Sequence, residues 1–269
     1  MTQAAEPGVR EPRGSRGDPV TDSATAARFL HSGRVVRWTR RLDRFASWWW
    51  DVALVAVFVL VTVLVARGAT ADLDLGVRDW VQTHQPGWAH AAARLLNYLG
   101  QGWLVMWIIT GGLTVLLLAR SRSWRALLPA VTGFLLTYVT LGPLKVWTHR
   151  DAPSSALPNA VEMFNAAATG YSNSYPSGHV VNAIVWWGII VILAGRMWAL
   201  PPVLVRWVRV APPVVVLLTT TYLSYHWITD GIAALALGLL LDRLIHRVDW
   251  NAVLPDLRPA RTGVEQPQG

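Results

Sequence analysis

The sequence predicts an all-α protein, a bundle of six transmembrane helices with amphipathic interfacial helices between the first and second spans. Of its 269 residues, 53% are hydrophobic and only 15% are charged, and a mean hydropathy of +0.33 is unusual for a soluble domain. The apolar residues form blocks of roughly 15 to 20 residues with the charges between them, close to the length that a helix needs to cross a bilayer. Many tryptophans lie near the block ends, where indole rings favour the membrane interface.

The predicted spans follow these blocks in chain order. They cover residues 48–66, 102–119, 126–144, 177–195, 212–225 and 227–241. We take Pro212 and Pro213 as the start of the fifth span, because proline is favoured in the first turn of a helix. In residues 69–100, apolar side chains are interspersed with charged ones, and residues 85–87 interrupt the pattern. This segment is too polar to cross a membrane and is typical of helices that lie at the membrane interface.

We expect three parts in the chain. They are a disordered basic cytoplasmic tail over residues 1–40, a six-span membrane domain over 41–250 and a disordered cytoplasmic tail over 251–269. The tails and the loops on their side hold nineteen basic residues against five in the opposite loops, so the positive-inside rule places both termini in the cytoplasm. We therefore attribute the formal charge of +8 to residues that set the orientation of the chain in the membrane. The sequence has no basic stripe interleaved with aromatic residues, so this charge does not indicate nucleic-acid binding. The chain has no cysteine, which excludes thiolate metal sites.

A pair of cations lies at the outward end of the third predicted span. Lys145 is the one lysine among 24 basic residues, and Arg150 follows five residues later. Each has an ordinary explanation, since a lysine at a span end can snorkel to the interface and Arg150 can pair with the adjacent Asp151 at the surface. Together, the two cations are suited to holding a doubly charged phosphoryl group.

The run Tyr175-Pro176-Ser177-Gly178-His179 opens the fourth predicted span. Proline and serine at a helix start are ordinary capping residues, which explains Ser177 alone. The N-terminus of a helix also binds phosphate, because its free N–H groups and the positive end of its dipole attract an anion. Gly178 would let the anion approach the backbone and Ser177 would add a hydroxyl donor. His179 would stand beside the anion, placed to protonate a leaving alkoxide.

An imidazole and a carboxylate, His226 and Asp230, are four residues apart where the sixth predicted span begins. In a helix that spacing places both side chains on one face, where a purely structural hydrogen-bonded pair is the alternative. Ionisable pairs are costly within a membrane, which favours a functional role. A carboxylate that accepts from one ring nitrogen leaves the lone pair of the other nitrogen free to attack phosphorus.

These three elements together resemble the signature of the type 2 phosphatidic acid phosphatase superfamily, the membrane lipid phosphate phosphatases. The order, the spacing and the six-span setting agree over roughly residues 69–247, and the Pro-Ser-Gly-His run at 176–179 is the most specific part. The chain departs from the family pattern at two places where the family usually has arginine. Ala152 stands before Pro153, and Thr220 stands six residues before His226.

The resemblance implies a role for each residue of the signature. His226 would be the nucleophile that forms a phosphohistidine, Asp230 would orient it, and His179 would be the acid for the leaving group. The residues expected to bind the substrate phosphate are Lys145, Arg150, Ser177 and Gly178. The resemblance implies no metal and no cofactor.

The function expected from the resemblance is hydrolysis of a lipid phosphate or polyprenyl diphosphate, drawn from the membrane lipids on the extracytoplasmic side. Each missing arginine removes a charge-assisted bond worth about 1.5–3 kcal/mol. Two alternatives therefore stay open, a phosphoryl or head-group transferase that uses the same histidine and a non-catalytic lipid-binding relative. The resemblance does not define the oligomeric state.

Overall fold

The computed structural model describes residues 48–168 and 172–258, and within these ranges the regular structure is helical, without strands. The helices there that are long and apolar enough to cross a membrane number five, and they are Trp48–Ala66, Trp103–Ser121, Trp124–Thr148, Gly178–Gly195 and Pro202–Tyr222. The chain is thus a multi-pass membrane protein, and the predicted all-α fold is confirmed. The tail predicted at residues 1–40 lies outside the described ranges, as do residues 259–269.

The helices follow one another with short connections, apart from one long loop. We label them α1 (Trp48–Ala66), α2 (Ala71–Thr83), α3 (Gly87–Leu96), α4 (Gly111–Ser121), α5 (Leu128–Thr148), α6 (Gly178–Gly195), α7 (Pro202–Tyr222), α8 (Ile228–His246) and α9 (Trp250–Val253). A 3-10 turn at Asn97–Gly100 and a π-helix at Trp103–Thr110 lead into α4, and a second 3-10 turn at Trp124–Leu127 leads into α5. Helices α2 and α3 occupy the predicted amphipathic segment.

The sixth predicted span corresponds to α8, which differs in composition from the other spans. It carries Asp230, Asp242 and Arg243, and these charges keep it out of the group of strongly apolar helices. Most of its residues are nevertheless buried, because α8 packs against α6 in the interior of the bundle. The count of six spans therefore stays a prediction.

The predicted start of the fifth span is wrong. Helix α7 begins at Pro202, ten residues earlier, so Pro212 and Pro213 lie inside the helix. Arg206 and Arg209, which precede the predicted fifth span, therefore belong to α7. Proline inside a helix removes a backbone hydrogen bond, but membrane helices tolerate it where neighbouring groups compensate, and both prolines here are buried against other helices.

The residues after α8 fold back onto the bundle. Leu254 is buried in the main apolar cluster, and the Arg196 guanidinium donates to the carbonyl oxygens of Leu254 and Pro255 and to the side chain of Asn251. The first residues of the segment predicted as a C-terminal tail are therefore held against the end of α6.

Helix α6 lies in the middle of the fold, in contact with α5, α7 and α8. Its contact with α8 is close enough to require glycine at Gly238. A Cβ atom added there would lie 3.3 Å from the backbone Cα of Val181 and 2.7 Å from Cδ1 of Ile184. This close contact sets the distance between the two helices whose first residues form the candidate site.

We predict that Gly238→Ala lowers stability by about 1–3 kcal/mol, the usual cost of overpacking a well-packed core. The measurement is the midpoint of thermal unfolding in detergent, followed by tryptophan fluorescence. Gly112→Ala is the matched control, since Gly112 is also helical and has nothing within 4 Å of the added Cβ. Equal midpoints for the two variants would contradict the close packing of α6 on α8.

Candidate active site

Three distant parts of the chain meet at one end of the bundle, around a cavity of about 420 Å³. They are the C-terminal end of α5, the first turn of α6, and the turn between α7 and α8. The loop after α5 and residues 100–102 complete the wall. Four of the predicted site residues line this cavity, Lys145, Gly178, His179 and His226. Neutral polar residues make up much of the rest, Gln101, Ser154, Asn173, Ser174, Asn182 and Tyr225.

The two histidines are in direct contact at the cavity. Nδ1 of His179 lies 3.2 Å from Nε2 of His226, and the ring centroids are 5.4 Å apart. Residues separated by 47 positions in sequence thus present their ring nitrogens to one small space.

The other ring nitrogen of His226 faces Asp230 and Ser174. Nδ1 of His226 is 3.6 Å from Oδ2 of Asp230 and 3.2 Å from Oγ of Ser174. The Ser174 hydroxyl itself donates to Oδ2 of Asp230 at 2.5 Å. Because this hydroxyl proton is engaged by the carboxylate, Ser174 accepts from His226, and Nδ1 carries the proton. The lone pair of Nε2 therefore points towards His179, which donates from its own Nδ1.

The helical pairing expected for His226 and Asp230 takes a different form. Helix α8 begins at Ile228, so His226 lies in the preceding turn, where its N–H donates to the carbonyl oxygen of Thr220. Asp230 stands in the first turn of α8, and its Oδ2 accepts from the N–H of Trp227 at 3.0 Å. A carboxylate in the first turn caps the helix, and this bond orients Asp230 towards the turn that holds His226.

Burial lowers the pKa of His226 below its ordinary value of 6.5, and the nearby Asp230 carboxylate opposes this shift. The other oxygen of Asp230, Oδ1, accepts from Nη1 of Arg150 at 2.5 Å. The positive charge of Lys145 across the cavity adds to the lowering of the His226 pKa. His226 is consequently neutral over a wider pH range than a solvent-exposed histidine.

The predicted phosphate-binding residues do not all face the cavity. Lys145 does, with Nζ donating to the backbone oxygen of Asn173 at 2.5 Å, and Gly178 lies beside its side chain. Ser177 is fully buried, and its hydroxyl accepts from the N–H of Val180, the capping role named as its ordinary explanation. The first turn of α6 that it caps opens directly onto the cavity.

Arg150 lies beneath the cavity instead of lining it. Its side chain is fully buried, with Nη1 on Asp230 and Thr229, Nη2 on Asp74, and Nε on the carbonyl oxygen of Val161. The alternative pairing with Asp151 is not formed. Asp151 instead accepts from Ser172 and Asn165.

The two departures from the family pattern have different surroundings. Ala152 lines the cavity, whereas Thr220 is buried and its hydroxyl donates to carbonyl oxygens of its own helix. Lys145 is the one lysine or arginine among the described residues that line the cavity.

The same described ranges contain no group of three His, Cys, Asp or Glu side chains placed to hold a metal ion.

Sequence reasoning missed Ser174, Asp74 and Thr229. Ser174 follows Asn173 in a polar loop, and no local pattern separates it from the other serines there. Asp74 looks like one of several charges on an amphipathic helix, and its partner Thr229 is 155 residues away. Only the tertiary structure brings these groups together beneath His226.

The family model of the PAP2 superfamily matches residues 126–254, the segment from α5 to α9 that contains all seven residues of the predicted site. This segment of the chain is therefore similar to the PAP2 superfamily. The PAP2 match leaves out α1, α2, α3 and the π-helix, so it does not include Asp74 or Gln101.

The PAP2 fold is also supported by a solved structure. The crystal structure of a transmembrane PAP2-type phosphatidylglycerolphosphate phosphatase from Bacillus subtilis is similar to this chain, with a TM-score of 0.57 and 23% sequence identity. The similarity covers 73% of this chain and 94% of that chain, and it concerns the fold. No curated protein sequence matches the chain.

We predict that Lys145→Gln weakens binding of inorganic phosphate roughly 10- to 100-fold, because a charge-assisted hydrogen bond is worth about 1.5–3 kcal/mol. Isothermal titration calorimetry of the detergent-solubilised protein measures this affinity. The control is Arg94→Gln, which removes an exposed cation on α3 that does not line the cavity. Unchanged phosphate affinity in the Lys145 variant would show that the anion binds elsewhere.

Proposed function

We propose that the protein is a membrane phosphatase for a lipid phosphate or diphosphate, which works through a phosphohistidine on His226. The observation that carries the proposal is the 3.2 Å contact between Nε2 of His226 and Nδ1 of His179 at a cavity that also holds Lys145 and the first turn of α6. A neutral nucleophile, a proton donor and an anion site are the parts that phosphoryl transfer requires.

The reaction has two displacements at phosphorus. In the first, the lone pair of Nε2 forms an N–P bond while the P–O bond to the leaving group breaks, and His179, as an imidazolium, gives one proton to the leaving oxygen and becomes neutral. In the second, His179 takes a proton from water, the water oxygen forms a P–O bond, and the N–P bond breaks to release phosphate. The proton returns to His179 and the lone pair to His226, so both residues are ready for another cycle.

Substrate binding must separate the two imidazoles. The nucleophile and the leaving group occupy opposite sides of phosphorus in an in-line displacement, so the acid cannot stay in contact with the attacking nitrogen. The His179 ring has room to move, because it is only partly buried and faces the cavity. Inorganic phosphate or a lipid phosphate would take the space between the rings.

The substrate class and the sidedness rest on different arguments. The similar Bacillus subtilis protein is described as a phosphatidylglycerolphosphate phosphatase, which supports a lipid phosphate substrate here. The basic loops at the other end of the bundle support an extracytoplasmic site by the positive-inside rule. The proposal includes no metal and no cofactor, so a chelator should leave the rate unchanged.

One observation favours a second candidate function. Lys145 is the single lysine or arginine among the described cavity-lining residues, whereas hydroxyl and amide groups are plentiful. A phosphodiester carries one negative charge and needs fewer cations than a phosphomonoester dianion. Head-group transfer between a phosphodiester lipid and an alcohol, through the same His226 intermediate, is therefore the alternative.

We predict that purified protein given phosphatidate, phosphatidylglycerophosphate or polyprenyl diphosphate releases phosphate, and that His226→Ala abolishes the release because it removes the nucleophile. The control is His90→Ala, a histidine on α3 outside the cavity. Phosphate release that survives His226→Ala would reject the mechanism. Turnover that appears only with an added acceptor alcohol would favour the transferase, and the absence of both reactions would indicate a non-catalytic relative.

We predict an acid limb in the pH profile of kcat/KM with its midpoint below pH 6.5, the ordinary value for histidine. Attack requires neutral His226, and burial lowers its pKa, so the neutral form persists to a lower pH. Activity is therefore retained as the pH falls through 6.5 and is lost only below the lowered pKa. A midpoint well above 6.5 would mean that an anion dominates the environment of His226.

A further inference from the structure

Asp74 is a buried carboxylate on a helix that lies outside the PAP2 match. Its side chain is fully buried, although the preceding acidic residue on α2, Asp72, is exposed. Its Oδ2 accepts from Nη2 of Arg150 at 2.5 Å and from the hydroxyl of Thr229 at 2.6 Å, and its Oδ1 accepts from the N–H of Thr229 at 3.2 Å. A buried carboxylate is costly unless it is paired, and here both oxygens are used.

Arg150 joins Asp74 to the carboxylate that faces His226. Its Nη2 donates to Asp74 and its Nη1 donates to Oδ1 of Asp230 at 2.5 Å, so one guanidinium serves two carboxylates. Nη1 also donates to the Thr229 hydroxyl at 2.9 Å, and this hydroxyl in turn donates to Asp74. The three charged groups are all fully buried, and together they carry one excess negative charge.

That excess charge faces His226 from one side, while the cation Lys145 lies on the other, across the cavity. Below the ring lie Asp230 of α8, Arg150 of the loop and Asp74 of α2. Across the cavity lie His179 of α6 and Lys145 of α5. The other ionisable or charged groups nearby are Tyr175, Tyr225 and Arg78. Arg78 lies over the Trp227 ring and pairs with Asp79. Arg150 is thus the cation closest to Asp230, and Asp74 shares its charge.

We propose that Asp74 is a positioning residue of the His226 site, acting through Arg150 and Thr229 to orient Asp230 and to leave one net negative charge beneath the nucleophile. When Nε2 attacks phosphorus, the imidazole gains positive charge, and a net anion beneath it stabilises that charge. Without Asp74, the guanidinium of Arg150 would cancel the charge of Asp230 completely. The kinetic part of this inference rests on the proposed function.

The test compares Asp74→Asn with the wild-type protein and with Asp72→Asn. Asparagine keeps the shape and an accepting oxygen but removes the charge, while Asp72→Asn removes an exposed charge from the same turn of α2. The first readout is the rate at which diethyl pyrocarbonate modifies His226 as a function of pH, resolved by mass spectrometry of the peptide. It reports the fraction of neutral imidazole and requires no turnover.

We expect the midpoint for His226 modification to move down by roughly half to one pH unit in Asp74→Asn, because removing the buried negative charge beside Arg150 makes the imidazolium less favourable. We expect kcat to fall roughly 10- to 100-fold, as it does when a partner that orients a functional histidine is removed. KM should stay within about twofold, because Asp74 does not line the cavity. Asp72→Asn should match the wild type in all three.

Thr229→Val separates charge from packing. It removes the hydroxyl that bridges Asp74 and Arg150 but keeps the three charges, so the midpoint for His226 should not move. An unmoved midpoint in Asp74→Asn, or an equal shift in Thr229→Val, would overturn the inference and leave a merely structural contact. If Asp74→Asn does not fold, Asp74→Ser takes its place, since it also removes the charge and keeps a hydroxyl acceptor; its midpoint should move down in the same way, and an unmoved midpoint would overturn the inference. Failure of the proposed function appears separately, as wild-type protein without phosphate release or a His226→Ala variant that retains it.

Discussion

The candidate site depends on one buried carboxylate, that of Asp230. It accepts from the Arg150 guanidinium, from the Ser174 hydroxyl and from the N–H of Trp227, and it faces the ring of His226. These donors come from the long loop and from the turn before α8. A buried charge is stable only when such partners are in place, so folding that buries Asp230 also assembles the surroundings of His226. The stability of this end of the bundle and the geometry of the proposed nucleophile therefore have the same physical origin.

The shared arginine gives the site an unusual division of charge. Only Lys145 among the described cationic side chains lines the cavity, while Arg150 is used entirely below it by Asp74, Asp230, Thr229 and a backbone carbonyl. Positive charge above the histidines suits an anionic substrate, and negative charge below them suits a ring that becomes positive during attack. If a cation moved from the cavity to the buried cluster below it, the site would attract an anionic substrate less well and would stabilise a positive ring less well.

Much of the fold and part of the site could be predicted from the sequence. Long apolar blocks define α1, α4, α5 and α6 because a bilayer demands such blocks, and Pro-Ser-Gly-His marks the start of α6 because capping and anion binding use the same few residues. The start of α7 was missed, since burial of Pro212 and Pro213 outweighs their local preference for a helix start.

The contacts beneath His226 were beyond sequence reasoning for a different reason. Asp74 and Thr229 are joined by hydrogen bonds although they are 155 positions apart in the sequence. The residues around each of them give no sign that the two side chains are in contact. Arg150 was recognised as a residue of interest, but whether it faces the substrate or the protein interior depends on which carboxylates the fold brings to it.

The composition of α8 has a consequence for how the chain enters its membrane during synthesis. Asp230, Asp242 and Arg243 make this helix a poor candidate for partitioning into lipid on its own, although it is largely buried in the finished bundle. Asp242 forms an ion pair with Arg209 on α7, so each helix offsets a charge of the other. The energetics favour insertion of the two helices together as a hairpin, with α8 stabilised by its neighbour before the rest of the bundle closes around it.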